Sequence, residues 1–219
     1  MSAADSRLAG LRDGVVGAVN RTARKVPAGA LYIMCPIPAA WLLWQGLTGG
    51  LGFEPIKALE HQLGEWALQL LIAGLCITPL RRYAGLNLLK FRRAIGLIAF
   101  LYVVLHFLVW MVLDVQLPSQ IWADIVKRPY ITIGMAALVL LIPLAATSNN
   151  LSVRRLGRTW RSLHKATYVV ALLAALHYIL LAKGFRIEPL VYAGIIGGLL
   201  LLRLPAAVNR STTRRRSVG

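Results

Sequence analysis

Four histidines carry the chemistry that residue type and spacing make available in this chain: His61, His106, His164 and His177. His106 and His177 each stand inside a long apolar block, where an ionisable side chain is costly and marks a functional site by default. His106 lies twelve residues beyond Ala94, and His177 lies twelve beyond Lys165. At about 1.5 Å per helical residue, both rings are roughly 18 Å into their helices. Two neutral imidazoles meeting at one depth can ligate a haem iron from both sides, with the surroundings tuning its potential. The competing reading is two separate histidines, each bonded to a nearby hydroxyl or carbonyl.

His164 precedes His177 by 13 residues, about 19.5 Å along a helix. That separation suits a second stacked porphyrin. On an ideal helix, however, the two rings point about 220° apart, so a π-bulge or kink is needed to align them. The residue 13 positions before His106 is Arg93, so no matching histidine faces His164 at that depth. The alternative for His164 is a solvated residue in a basic cluster. His61, at the edge of its block, is a helix-end residue, an alternative haem ligand or part of a docking surface.

The elements that must position these residues follow from composition. Hydrophobic residues make up 58% of the 219 and charged residues 15%, against about 45–50% and about 25% in soluble domains. Six blocks match the roughly 17–25 residues that cross a bilayer as a helix: 28–51, 61–80, 94–113, 130–146, 164–182 and 189–204. They lack the alternation of a membrane β-barrel. The expected fold is therefore an all-α, six-helix transmembrane bundle. Residues 1–27 form a tail, with Leu8, Leu11, Val15 and Val19 at helical spacing, either an interfacial helix or a frayed end. Residues 205–219 form a second, basic tail.

Net charge is +17, but the basic residues do not form a nucleic-acid surface. They fall in short runs between apolar blocks, and twenty of the 25 Lys and Arg lie in the two tails, in the second-to-third and fourth-to-fifth connections, or, as Lys165 and Arg203, at the span ends beside them. Six of the eight acidic residues fall on the opposite side. The positive-inside rule then predicts cytoplasmic N and C termini. A soluble enzyme, a disordered basic tail and a disulfide-stapled secreted domain are excluded. No cleavable signal peptide is expected, because the first apolar block begins near residue 28 and is too long for a signal core.

Cys35 and Cys76 have no metal-ligand spacing and read as packing residues. No GxSxG, HExxH or GxxxxGK[ST] occurs, which removes support for hydrolase, zinc-protease and nucleotide-driven readings. Connections of at most about sixteen residues leave no room for a large catalytic domain, so any such unit belongs to another chain. Val103, Leu105, Leu173 and Leu176 are expected to surround the His106/His177 site. Arg92, Arg93, Arg158, Arg161 and Lys165 offer charge for an anionic cofactor group, or act only as topology determinants. Trp122 and Tyr130, in the connection 114–130, fit an aromatic belt, and Trp122 and Arg128 are candidates for a partner contact. Two rival classes stay open on these residues: a transporter or channel using intramembrane histidines for protons or metal, and a non-catalytic anchor.

The segments ALEHQLGEWALQLLIAGLCITPL, ITPLRRYAGLNLLKFRRAIGLIAFLYVVLHFLVW, KRPYITIG and LGRTWRSLHKATYVVALLAALHYI resemble the MsrQ (YedZ) family. These are the haem-binding membrane subunits of bacterial protein-methionine-sulfoxide reductase systems. The resemblance covers roughly residues 55–205, and the histidine pattern is shared more loosely with ferric-reductase-like membrane domains. Those domains usually carry two histidines on each of two helices, so Arg93 departs from their pattern. The resemblance implies a multi-pass protein of the bacterial inner membrane carrying b-type haem (one or two) and FMN. It implies transfer of respiratory-chain electrons, from quinol, to MsrP, a periplasmic molybdopterin enzyme that repairs oxidised methionine in envelope proteins. The chain would then be an electron-transfer subunit of an oxidoreductase complex and not its catalytic subunit. Carried onto this sequence, the haem-associated positions are His106, His164 and His177, with His61 a further candidate.

Overall fold

The computed structural model describes residues 3–182 and 186–203, with side chains from residue 10 onward. Among these residues the regular structure is helical. The helices are α1 (Ala3–Lys25), α2 (Gly29–Met34), α3 (Pro36–Leu47), α4 (Pro55–Ala84) and α5 (Arg92–Leu108), followed by α6 (Pro118–Lys127), α7 (Pro129–Ala146), α8 (Asn150–Leu163), α9 (Ala166–Leu181) and α10 (Ile187–Leu201). A 3₁₀ turn at Leu89–Phe91 leads into α5, and a π-helical stretch, Val109–Val115, continues from it.

Prolines place several of the helix starts. Pro36, Pro55, Pro118 and Pro129 occupy the first turns of α3, α4, α6 and α7, where the missing N–H has no intrahelical partner to lose. Asn149 caps α8 by accepting the Ser152 N–H at 2.7 Å. At the end of α4, Gly85 adopts φ 72°, and the Leu86 N–H returns to the Leu80 carbonyl at 3.1 Å. Pro79, inside α4, cannot donate to the carbonyl four residues back. That carbonyl belongs to Leu75, and the Arg203 guanidinium takes it instead.

Four stretches are long and apolar enough to cross a membrane: Gly29–Leu47, Pro55–Ala84, Leu89–Val115 and Pro129–Ala146. The α8–α9 pair makes a fifth candidate, bent by 46°, while α10 is apolar but has 15 residues. The protein is a multi-pass membrane protein. Valine and leucine side chains exposed on α7 and α9, including Val139, Leu172 and Leu180, supply the apolar outer surface that lipid requires.

Several boundaries differ from those read in the sequence. The first span breaks at Cys35, between α2 and the proline that starts α3. Across that break, the Tyr102 hydroxyl donates to the Cys35 carbonyl at 2.6 Å. The second span begins at Pro55, so His61 falls in its second turn instead of opening it. The fifth helix begins at Ala166, leaving His164 in the bend. The connection 114–130 contains α6, whose Ile121, Trp122, Ile125 and Val126 recur at helical spacing. α8 likewise occupies what reads as a basic connection. Both helices are too polar to register in a search for long apolar blocks. The basic tail 205–219 and the final residue of the expected sixth span, Leu204, lie outside the described residues.

Three apolar clusters hold the bundle. Ala39 and Leu42 of α3 pack with Leu63, Ala67, Ile98 and Tyr102. Leu68 and Leu75 of α4 meet Ala171 and Ala175 of α9 and Ile196 of α10. Ala137, Leu141 and Leu144 of α7 close on Val170 of α9. α1 is tied to the end of α4 and to the turn before α5: Arg12 donates to the Tyr83 carbonyl at 3.0 Å, and Lys90 donates to the Arg24 carbonyl at 2.9 Å.

Candidate functional site

α4, α5, α7 and α9 surround a cavity of about 1540 Å³. One end carries Lys57, Glu60, His61, Asp114, Arg128 and Glu188; the other carries Arg92, Arg93, Arg161, His164, Lys165 and Arg203. Between them the lining is largely apolar, with Leu68, Leu71, Phe100, Val103, Leu138 and Val170.

His106 of α5 and His177 of α9 both line this cavity. Their ring centroids are 6.3 Å apart and their planes cross at 83°. His106 Nδ1 lies 2.8 Å from the Glu60 carbonyl of α4, and His177 Nδ1 lies 2.6 Å from the Tyr130 carbonyl of α7. A carbonyl only accepts, so both Nδ1 atoms carry the proton and both Nε2 atoms are left with a lone pair. Metal-bound histidines are oriented in this way, by an acceptor on the ring nitrogen that does not bind the metal.

The arrangement depends on two glycines. A Cβ on Gly64 would lie 3.0 Å from His106 Nδ1, and one on Gly134 would lie 2.9 Å from His177 Nδ1. Each glycine is four residues after the carbonyl used, Glu60 and Tyr130, so it opens the helix surface above that carbonyl. Metal–imidazole bonds run about 2 Å, and a five-membered ring's centroid lies about 1.2 Å from each vertex, so two imidazoles on opposite sides of one metal have centroids about 6.4 Å apart. The observed 6.3 Å fits a single iron between the two rings.

His164 occupies a different setting toward the basic end. Its ring stacks on Trp160 at 4.0 Å, and Nε2 lies 3.1 Å from the Thr147 hydroxyl. That hydroxyl donates to the Pro143 carbonyl at 2.7 Å, so it accepts from His164, placing the proton on Nε2. His164 therefore has the opposite tautomer from the other two. His164 sits at the 46° bend between α8 and α9 and lines the same cavity without joining the 6.3 Å pair. His61 is exposed at the far end.

Arg203 bridges α4 and α9 at the basic end. It donates to the Tyr168 hydroxyl at 3.2 Å as well as to the Leu75 carbonyl, and its buried Nε has no hydrogen-bond partner among the described residues. An orphaned guanidinium N–H facing other cations fits a carboxylate or phosphate. Arg92, Arg93, Arg161 and Lys165 line this part of the cavity as expected, whereas Arg158 does not. Of the four aliphatic residues expected around the paired histidines, only Val103 lines it. Leu105 packs into a neighbouring cluster and Leu176 is exposed, because immediate helical neighbours of a histidine do not share its face; Leu173, one turn before His177, packs against the α7 cluster instead.

Other partners escaped the sequence reading. Glu65 accepts from Gln69 and from the Tyr192 hydroxyl, each at 2.9 Å, tying α4 to α10 beside the cavity. Gly64, Gly134, Thr147 and Trp160 had no spacing signal, since small and hydroxylated residues recur throughout membrane helices. Outside the spans, Arg128 pairs with Asp124 at 3.1 Å and donates to the Tyr130 hydroxyl at 3.2 Å. The bond to Tyr130, with help from Asp124, raises the Arg128 pKa. Trp122 is 70% exposed on α6.

Comparison with known proteins agrees with these features. The family described as "Ferric reductase like transmembrane component" matches residues 63–175, a range that includes His106 and His164 and ends two residues before His177. A Brucella anthropi protein named protein-methionine-sulfoxide reductase heme-binding subunit MsrQ is 51% identical over 188 residues, covering 84% of this chain and 86% of that protein. Proteins of the same name from Brucella ovis and Brucella canis are 51% identical over 175 residues, 80% of each chain. No solved structure matches. On the span of the match and its identity, the chain belongs to the MsrQ family of ferric-reductase-like transmembrane proteins.

Proposed function

We propose that this protein is the transmembrane electron-transfer subunit of a methionine-sulfoxide reductase system, in which His106 and His177 would hold a b-type haem. The observation that carries this reading is the imidazole pair at 6.3 Å, with both Nδ1 protons engaged by backbone carbonyls. When bound, the haem supplies reversible one-electron chemistry. The chain's own residues present two Nε2 lone pairs, fix both rings and exclude water with Leu68, Phe100, Val103 and Leu138. A transporter reading has less support. Among the described residues no group of three or more His, Cys, Asp or Glu is placed to hold a metal, so an ion held by two imidazoles needs the further ligands a porphyrin provides.

The cavity exceeds the roughly 300–1,000 Å³ of an ordinary ligand pocket, which favours a second cofactor at the basic end. A further haem using His164, or FMN, would find Arg203 and Arg161 for its anionic groups. The path runs from quinol of the respiratory chain through the bundle to the periplasmic molybdopterin enzyme MsrP. This chain is then a relay and not the catalytic subunit. It spans the bacterial inner membrane six times with both termini cytoplasmic, α10 completing the count, so His164 is nearer the cytoplasm and α6 nearer the periplasm. Trp122 and Arg128 then lie where the reductase would dock.

Proteoliposomes containing this protein, a quinol and the co-purified periplasmic reductase test the reading. Methionine-sulfoxide reduction that depends on this chain is expected. Reduction at the same rate without it, or quinol that never reduces its haem, overturns the proposal. In the same assay, unchanged transfer after joint Trp122→Ala and Arg128→Ala replacement removes the docking surface.

A further inference from the structure

We propose that Gly64 and Gly134 are positioning residues that hold the two axial imidazoles in crossed planes. The inference rests on the haem reading above. The two cradles have the same construction on different helices. α4 offers the Glu60 carbonyl with Gly64 four residues later, and α7 offers the Tyr130 carbonyl with Gly134 four residues later. In each, the Nδ1–H bonds the carbonyl across the bare glycine, at a separation no side chain at that position would leave open. The carbonyl sets the rotation of the ring and the missing Cβ admits it. Two cradles on different helices fix two independent rotations, and the result is the 83° crossing.

Ring rotation is an electronic variable. The imidazole planes decide which iron d orbitals receive π donation, so crossed rings leave those orbitals nearly degenerate and parallel rings split them. Oxidised low-spin iron between crossed rings gives an electron paramagnetic resonance spectrum dominated by one large low-field g component. Parallel rings give a rhombic spectrum with three well-separated components. The glycines therefore act on the ligand field without touching the iron.

The two positions are not equally tight. At 2.9 Å a Cβ on Gly134 forces the His177 ring to move, whereas at 3.0 Å on Gly64 the His106 ring gives by a few tenths of an ångström. Gly134→Ala should therefore shift the low-field g component, and with it the midpoint potential, more than Gly64→Ala. Gly198→Ala, where a Cβ meets nothing within 4 Å, should leave both unchanged.

The experiment is low-temperature paramagnetic resonance and potentiometric titration of the detergent-purified full chain and these three variants, with haem counted per chain. Crossed-plane spectra in wild type, a larger shift in Gly134→Ala than in Gly64→Ala and none in Gly198→Ala are expected. If Gly134→Ala fails to fold, the wild-type spectrum and Gly64→Ala still decide. A rhombic, parallel-plane wild-type spectrum, or alanine variants with unaltered g components and potentials, overturns the proposal while the haem reading stands. Absence of haem from well-folded, haem-supplied wild type overturns the haem reading itself.

Discussion

Thr147→Val probes whether the basic end of the cavity holds a second haem. In the structure the Thr147 hydroxyl accepts from His164 Nε2 at 3.1 Å while donating to the Pro143 carbonyl at 2.7 Å. A metal at His164 Nε2 must displace the first of these bonds and move the proton to Nδ1. Valine keeps the branched shape and removes the competitor. Hydrogen bonds between membrane helices average about 0.6 kcal/mol, with about 1.7 kcal/mol at the top of the measured range. Removing one should tighten haem at His164 about threefold, and at most ~20-fold. The assay is a haem titration of His177→Ala protein, in which the paired site is disabled, with and without Thr147→Val. Pyridine haemochrome counts give the occupancy. Affinity that is unchanged or weaker with valine would refute the competition argument. No binding in either protein would refute a haem at His164.

Two further outcomes follow from the geometry. His61 is exposed at the cavity's end and is not one of the two rings that meet at 6.3 Å, so His61→Ala should retain the full b-type spectrum; its loss would return His61 to the ligand set. Tyr102→Phe removes the hydroxyl that meets the Cys35 carbonyl at 2.6 Å, costing about 0.6–1.7 kcal/mol. The melting temperature in detergent should fall by roughly 2–6 °C with the haem spectrum intact, and an unchanged melting temperature would show that this bond does not brace the break.

The pairing of His106 with His177 was legible in the sequence because intramembrane histidines are few and depth along parallel helices can be counted. What holds the rings was not. A backbone carbonyl belongs to every residue, and Gly64 and Gly134 differ from other membrane-helix glycines only by what stands opposite them. The setting of His164 was hidden for another reason. Its partner Thr147 is 17 residues away, and the chain between them is kinked inside α8 at Gly157, where φ is 49°. α6 and α8 were missed as elements because their polar faces interrupt the apolar run by which the spans were found. The aliphatic surroundings differ from expectation where a sequence neighbour faces another side of its helix, as exposed Leu176 does beside His177.

The central claim is that one b-type haem is held between His106 and His177. Its most direct test is a dithionite-reduced minus oxidised absorbance spectrum of the purified protein, compared with His106→Ala and His177→Ala and scaled by haem per chain. The account predicts a b-type spectrum in wild type, with the same component lost in both variants. A spectrum that survives either substitution intact would contradict it.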